Sequence, residues 1–176
     1  LIAERDKYGA NDVKPGLTGW AQINGRDELE IPEKAKMLAE KFWPGPFTMI
    51  LPKKDCIPDI VSAGLPTVAV RFPSHPIAQR LIRESGCPIA APSANLSGSP
   101  SPTRVEHIIN DYGGTEKIAG VIDGGECFCG LESTVISIAT DPAVLLRPGY
   151  ITPKQIMEII PDLQIADAVK ARLKDG

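Results

Sequence analysis

At 176 residues and a formal charge of −3, the chain is long enough for one domain with a real core. The slight acidic excess argues against a surface built to coat nucleic acid, while leaving room for a local basic patch. No apolar run is long enough to cross a membrane and no signal-peptide pattern is present, so a cytoplasmic protein is expected.

Residues 1–30 carry little amphipathic periodicity. Residues 32–42 read as a helix, with Pro32 at its start and Ala35, Leu38, Ala39 and Phe42 along one face. Residues 47–51 read as a buried strand. In residues 67–71 the pattern alternates, with Val68 and Val70 on one side and Thr67, Ala69 and Arg71 on the other. Ser74 is expected to cap a helix over residues 75–84, with Pro76 in its first turn. Thr103 and Glu106 have the spacing of a capping box opening a helix towards Tyr112. Residues 120–123 read as a short strand ending at Gly124-Gly125. Residues 134–138 and 144–146 read as two strands joined at Asp141-Pro142. Thr152 and Gln155 form a second capping-box pattern, opening a helix to about Ile160. The tail from Asp167 is weakly amphipathic. Strands interleaved with helices indicate an α/β domain.

The cysteines are Cys56, Cys87, Cys127 and Cys129. Cys127-Phe128-Cys129 is too tight for a zinc knuckle, and His75 and His107 are distant in sequence, so free thiols and no metal site built from protein side chains are expected.

The most informative stretch is Ala90-Ala91-Pro92-Ser93-Ala94-Asn95-Leu96-Ser97-Gly98. An apolar run leads into a turn of small residues carrying hydroxyls and a carboxamide. Such a turn lets a ligand approach the backbone and supplies polar groups without bulk or charge. It also reads as an ordinary strand and turn. Four other segments accompany it. They are Phe42-Trp43-Pro44-Gly45-Pro46-Phe47-Thr48, Thr67-Val68-Ala69-Val70-Arg71-Phe72-Pro73-Ser74-His75, Gly130-Leu131-Glu132-Ser133-Thr134-Val135 and Leu146-Arg147-Pro148-Gly149. In this order the five segments resemble the YrdC-like family of threonylcarbamoyl-adenylate synthases, over about residues 31–176.

The resemblance implies a twisted, open, mixed α/β sheet with flanking helices around a central pocket. It implies synthesis of threonylcarbamoyl-adenylate from L-threonine, bicarbonate and ATP, with Mg2+ accompanying the ATP and no bound organic cofactor. The product would serve threonylcarbamoylation of tRNA, making tRNA or tRNA-modification proteins candidate partners. By residue match, Thr67, Ser93, Asn95, Ser101 and Arg147 would contact ATP, and Arg71, Ala91 and Ser133 would contact threonine. No side chain matches a covalent nucleophile. Such a site works by orientation and electrostatics, for which arginines, hydroxyls and small residues suffice. His75 reads as a helix N-terminal residue before a proton carrier, and Trp43 as core or turn before a platform for adenine. These six residues, Thr67, Arg71, Ser93, Asn95, Ser133 and Arg147, are expected to converge on one pocket.

The stretch from Tyr8-Gly9-Ala10-Asn11 through Gly16-Leu17-Thr18-Gly19-Trp20 to Asn24-Gly25-Arg26 resembles instead the C-terminal end of bacterial polyprenyl-phosphate sugar transferases. Residues 1–30 then read as a fragment without a fold of its own, joined to a synthase domain truncated at its N-terminus. The Lys-x-Arg motif that the synthase family places before this point has no match ahead of Phe42, and Lys34 and Lys36 read as a solvated helix face. The join, within residues 30–36, reads as a fusion or an artefact of assembly, and an impaired enzyme is the expectation. The ending at Lys174-Asp175-Gly176 resembles the point where longer family members continue into a linker and second domain. Two other functions remain open at this point: a double-stranded RNA or tRNA-binding module, and a sugar transferase resting on the first segment alone.

Overall fold

A computed structural model describes residues 33–174. The reading of residues 1–30 as a sugar-transferase fragment lies outside the described residues. Five strands form one mixed sheet in the order β2-β1-β3-β4-β5. In chain order the elements are α1 (Glu33–Phe42), β1 (Phe47–Pro52), α2 (Asp59–Ser62), β2 (Thr67–Arg71), α3 (Pro76–Ser85), α4 (Val105–Tyr112), β3 (Thr134–Ser137), β4 (Val144–Arg147), α5 (Pro153–Met157), β5 (Gln164–Ile165) and α6 (Asp167–Lys174). β1 pairs antiparallel with β2 and parallel with β3; β4 pairs antiparallel with β3 and parallel with β5.

The two faces of this sheet differ. Phe47 and Met49 of β1, Ile136 of β3 and Leu145 of β4 point into a core closed by Ala35, Leu38 and Phe42 of α1, Ile156 of α5 and Val169 of α6. The Phe42 and Phe47 rings meet at 4.9 Å. Trp43, packed against this core, donates its indole N–H to the Phe47 carbonyl at 2.6 Å. On the opposite face, Thr48, Ile50, Val135 and Ser137 are only half-buried. One face makes the core, and the other is available to a ligand.

Three local expectations are corrected. α3 begins at Pro76 with His75, not Ser74, at the N-cap, and no side chain caps it. Proline at the first position removes one of the N–H groups a cap would serve. α4 begins one residue later than the Thr103–Glu106 pattern required, so Arg104 is the N-cap. His107 stands where the box needed a glutamate, and its Nδ1 accepts the Thr103 N–H at 3.3 Å. Residues 120–123 form no strand: Val121 and Ile122 are exposed, and no strand pairs with them.

The second capping box forms as read. Thr152 Oγ1 accepts the Gln155 N–H at 3.3 Å, and Gln155 Oε1 accepts the Thr152 N–H at 2.9 Å. Lys34 departs from a plain solvated face, because its ammonium bridges Asp141 at 2.7 Å and Asp162 at 2.9 Å. Those hydrogen bonds raise the Lys34 pKa and lower that of Asp162. No helix among the described residues is long and apolar enough to cross a membrane.

Thr134, wholly buried at the start of β3, donates its hydroxyl to the Ile151 carbonyl at 2.6 Å. Thr134→Val keeps the shape and leaves that carbonyl unpaired. The expected loss is about 1–3 kcal/mol of stability. It should appear as a lower urea midpoint at unchanged slope; an unchanged midpoint would show that the carbonyl finds another donor.

Candidate functional site

Ladder register brings the candidate residues to one end of the open face. Arg71, last in β2, lies opposite Thr48 of β1. Thr48 lies beside Val135 of β3, and Val135 opposite Arg147, last in β4. The final step depends on an irregularity. Ile136 pairs with Leu145, yet Val135 pairs with Arg147, so Leu146 is an extra residue in β4. A bulge of this kind re-aims the side chain beyond it. It carries Arg147 to the row holding Arg71 and Thr48, while Leu145 keeps its place in the core.

The strand ends are tied together by main-chain hydrogen bonds. Gly45 N–H donates to Phe72 O at 2.8 Å, and Thr134 N–H to Pro46 O at 3.0 Å. Gly149 leaves β4 directly against the entry to β3. A Cβ there would lie 2.6 Å from Thr134 N and 2.8 Å from Ser133 C, so only glycine permits this approach.

Ser133, buried and just ahead of β3, is the hub. Its carbonyl accepts from Arg147 Nε at 3.0 Å and Nη2 at 2.8 Å, and its Oγ accepts from Nη2 at 2.9 Å. Thr48 Oγ1 lies 2.9 Å from the same Oγ. Arg147 Nη1 forms an ion pair with Glu132 Oε2 at 2.5 Å, and Ser101 donates its hydroxyl to Glu132 Oε1 at 3.2 Å. Three of the five guanidinium N–H groups of Arg147 are thereby hydrogen-bonded to Ser133, and its Nη1 is ion-paired with Glu132.

Arg71 differs. It is half-buried and pairs with no carboxylate among the described residues. Burial, and secondarily the charge of Arg147, depress its pKa. Arginine nevertheless stays charged at neutral pH. Among the described residues the site is therefore a half-buried cation without a counter-ion, beside a second arginine whose charge Glu132 balances.

Among the described residues no hydrogen bond or ion pair joins the remaining candidates to this cluster. Thr67 shares the face of Arg71 but lies at the other end of β2, roughly 13 Å along the strand. Ala91 is half-buried and Ser93 exposed, both in an irregular loop. The Asn95 carboxamide N–H groups go to Leu96 O at 3.0 Å and Ser99 O at 2.8 Å, which holds the loop in shape. Its Oδ1 is buried and has no hydrogen-bond partner among the described residues. That free atom is an acceptor, suited to a cation or an N–H or O–H donor and unsuited to a phosphate oxygen.

His75 Nε2 lies 3.1 Å from Gly124 O, pinning the loop after α4 to the start of α3. Among the described residues no group of three or more His, Cys, Asp or Glu could hold a metal ion. A cleft of about 420 Å3 opens beside the hub between Leu131, Glu132, Leu146, Arg147 and Pro148 on one side and Val169 of α6 on the other. Thr48 and Glu132 were absent from the sequence reading of the site; both sit inside segments that it quoted.

Comparison with known proteins agrees with this architecture. The Sua5/YciO/YrdC family model, described as "Telomere recombination", matches residues 19–149. Threonylcarbamoyl-AMP synthase of Bacillus subtilis (strain 168) is 58% identical over 160 residues, covering 89% of this chain and 46% of that protein. The Pyrococcus abyssi protein of the same name is 51% identical over 146 residues, 83% of this chain and 42% of that one. The crystal structure of P. abyssi Sua5 complexed with L-threonine superposes with a TM-score of 0.80 at 44% identity, covering 96% of this chain and 51% of that chain. The chain thus spans about half the length of these relatives. By sequence and by fold, the chain belongs to the Sua5/YciO/YrdC family.

Proposed function

We propose that this domain makes threonylcarbamoyl-adenylate from L-threonine, bicarbonate and ATP, releasing pyrophosphate. The observation that carries this reading is Arg71, a half-buried guanidinium without a counter-ion among the described residues, set across from Thr48, which lies beside the buried Ser133 hydroxyl. Holding that charge unpaired opposes folding, and an anion placed there removes the cost. An amino-acid carboxylate fits: it takes two parallel N–H bonds from the guanidinium fork. The names of the relatives supply the substrate class, and L-threonine is the ligand in the P. abyssi structure.

With the carboxylate on Arg71, Ser133 offers its hydroxyl to a second oxygen of the amino acid, and Ala91 walls the pocket. The threonine amine attacks bicarbonate, water leaves, and the carbamate oxygen so formed displaces pyrophosphate from the α-phosphorus of ATP. No covalent intermediate with the protein is needed; the protein's share is alignment and charge stabilisation. Arg147 reaches ATP through its Nη1 group, the part of the guanidinium not hydrogen-bonded to Ser133, and Ser101, Thr67 and Ser93 supply hydroxyls to the nucleotide. Asn95 Oδ1, an acceptor without a partner among the described residues, would suit a Mg2+ ion or one of its waters, and the ion would supply positive charge to the ATP phosphates. The product then serves tRNA threonylcarbamoylation in the cytoplasm.

Titration calorimetry of the chain with L-threonine and with ATP tests this reading. Arg71→Lys should weaken L-threonine about ten- to hundredfold and leave ATP unchanged, because an ammonium lacks the planar fork. Arg147→Ala should weaken both ligands, since it removes the donor to ATP and unmoors Ser133. Pyrophosphate release that requires threonine and bicarbonate together completes the test. Absence of threonine binding, or equal affinities in wild type and Arg71→Lys, would overturn the assignment.

A further inference from the structure

We infer that Thr48 is a positioning residue that directs the Ser133 proton towards the ligand. The inference rests on the reading that Ser133 meets the amino acid. A serine hydroxyl has one proton to give and two lone pairs to fill. Ser133 Oγ accepts from Arg147 Nη2 at 2.9 Å and stands 2.9 Å from Thr48 Oγ1. A guanidinium accepts nothing, so the Ser133 proton goes either to Thr48 or out to the open face.

Thr48 Oγ1 has no other hydrogen bond among the described residues, and is free to serve in either sense. While Thr48 accepts, the Ser133 proton is consumed inside the protein. When Thr48 donates, both Ser133 lone pairs are filled and its proton faces outward, on the side where Arg71 lies opposite Thr48. A ligand oxygen arriving between Arg71 and Ser133 draws out the proton, and Thr48 reverses to fill the vacated lone pair. Two donors on one oxygen also polarise its remaining O–H, making it a stronger donor.

The rest of the hub is too constrained to share this freedom. The Arg147 guanidinium is held at Nη1 by Glu132, which in turn accepts from Ser101, and at Nε and Nη2 by the Ser133 carbonyl. Ser133 itself is buried. Reversal of one threonine hydroxyl is the movement that the network allows. Thr48 touches no substrate in this scheme; it acts through Ser133.

Two substitutions separate this role from packing. Thr48→Val keeps the shape and deletes the hydroxyl, whereas Thr48→Ser keeps the hydroxyl and deletes a methyl from a half-buried position. Calorimetry should find L-threonine about three- to tenfold weaker in Thr48→Val, close to wild type in Thr48→Ser, and ATP unaffected in both. Thermal stability should order them the other way, with the serine variant below the valine variant. In a Ser133→Ala background, Thr48→Val should add nothing. Threonine affinity that follows stability, or a valine variant equal to wild type, would overturn the role of Thr48 while leaving the Arg71 assignment standing. Failure of the wild-type chain to bind L-threonine would overturn both.

Discussion

Everything at the candidate site depends on the grip of the Arg147 guanidinium on Ser133. Three of its hydrogen bonds go to this residue, two to the carbonyl and one to the hydroxyl. They join the end of β4 to the entry of β3 at the point where the ladder is irregular. A bulge costs regular pairing, and the arginine returns that pairing from its side chain. The grip requires the two chain segments to lie almost in contact, which Gly149 permits by having no Cβ. Bulge, glycine and arginine are thus one device, and none of the three explains the geometry without the others.

The electrostatics follow from the same grip. Among the described residues two arginines meet on one face, and one acid, Glu132, balances the one that serves as a structural tie. Arg71 is left with uncompensated charge in a partly desolvated place, where a counter-ion matters more than on the open surface. Had Glu132 lain nearer Arg71, the protein would have satisfied its own cation and removed the feature on which the proposed carboxylate site rests. The half-buried face of the sheet keeps water from compensating fully, and the core on the other face, from Leu38 to Leu145, fixes the strands that set these distances.

Much of this was legible in sequence wherever a local period or cap decides the outcome. The apolar stripe of Ala35, Leu38 and Phe42, the alternation of Val68 and Val70, and the Thr152–Gln155 box all hold in the structure. The fold class and the family followed from the five segments. Local patterns failed where a neighbour had the deciding vote. The apolar pair Val121 and Ile122 looks like strand but lacks a partner, and the Thr103–Glu106 spacing lost to a helix beginning one residue later. Thr48 was out of reach for a different reason. Its partner Ser133 is 85 residues away, and their meeting depends on a parallel β1–β3 register that no single segment encodes.

The distribution of order around the site bears on how it works. Arg71, Thr48, Ser133 and Arg147 sit on or beside paired strands. Ala91, Ser93 and Asn95 sit on an irregular loop held by its own hydrogen bonds and joined to the hub through the Ser101 hydroxyl on Glu132. A rigid sheet end suits a small ligand whose recognition needs fixed angles between a guanidinium fork and one hydroxyl. A loop with its own internal bracing suits a larger, more flexible ligand such as a triphosphate, whose charge is spread and whose contacts tolerate displacement. In the proposed reaction a nucleotide would bring the two together, with one end on the loop and its α-phosphorus over the sheet end. On that proposal, the physical division between sheet and loop would mirror the chemical division between the group that attacks and the group that is attacked.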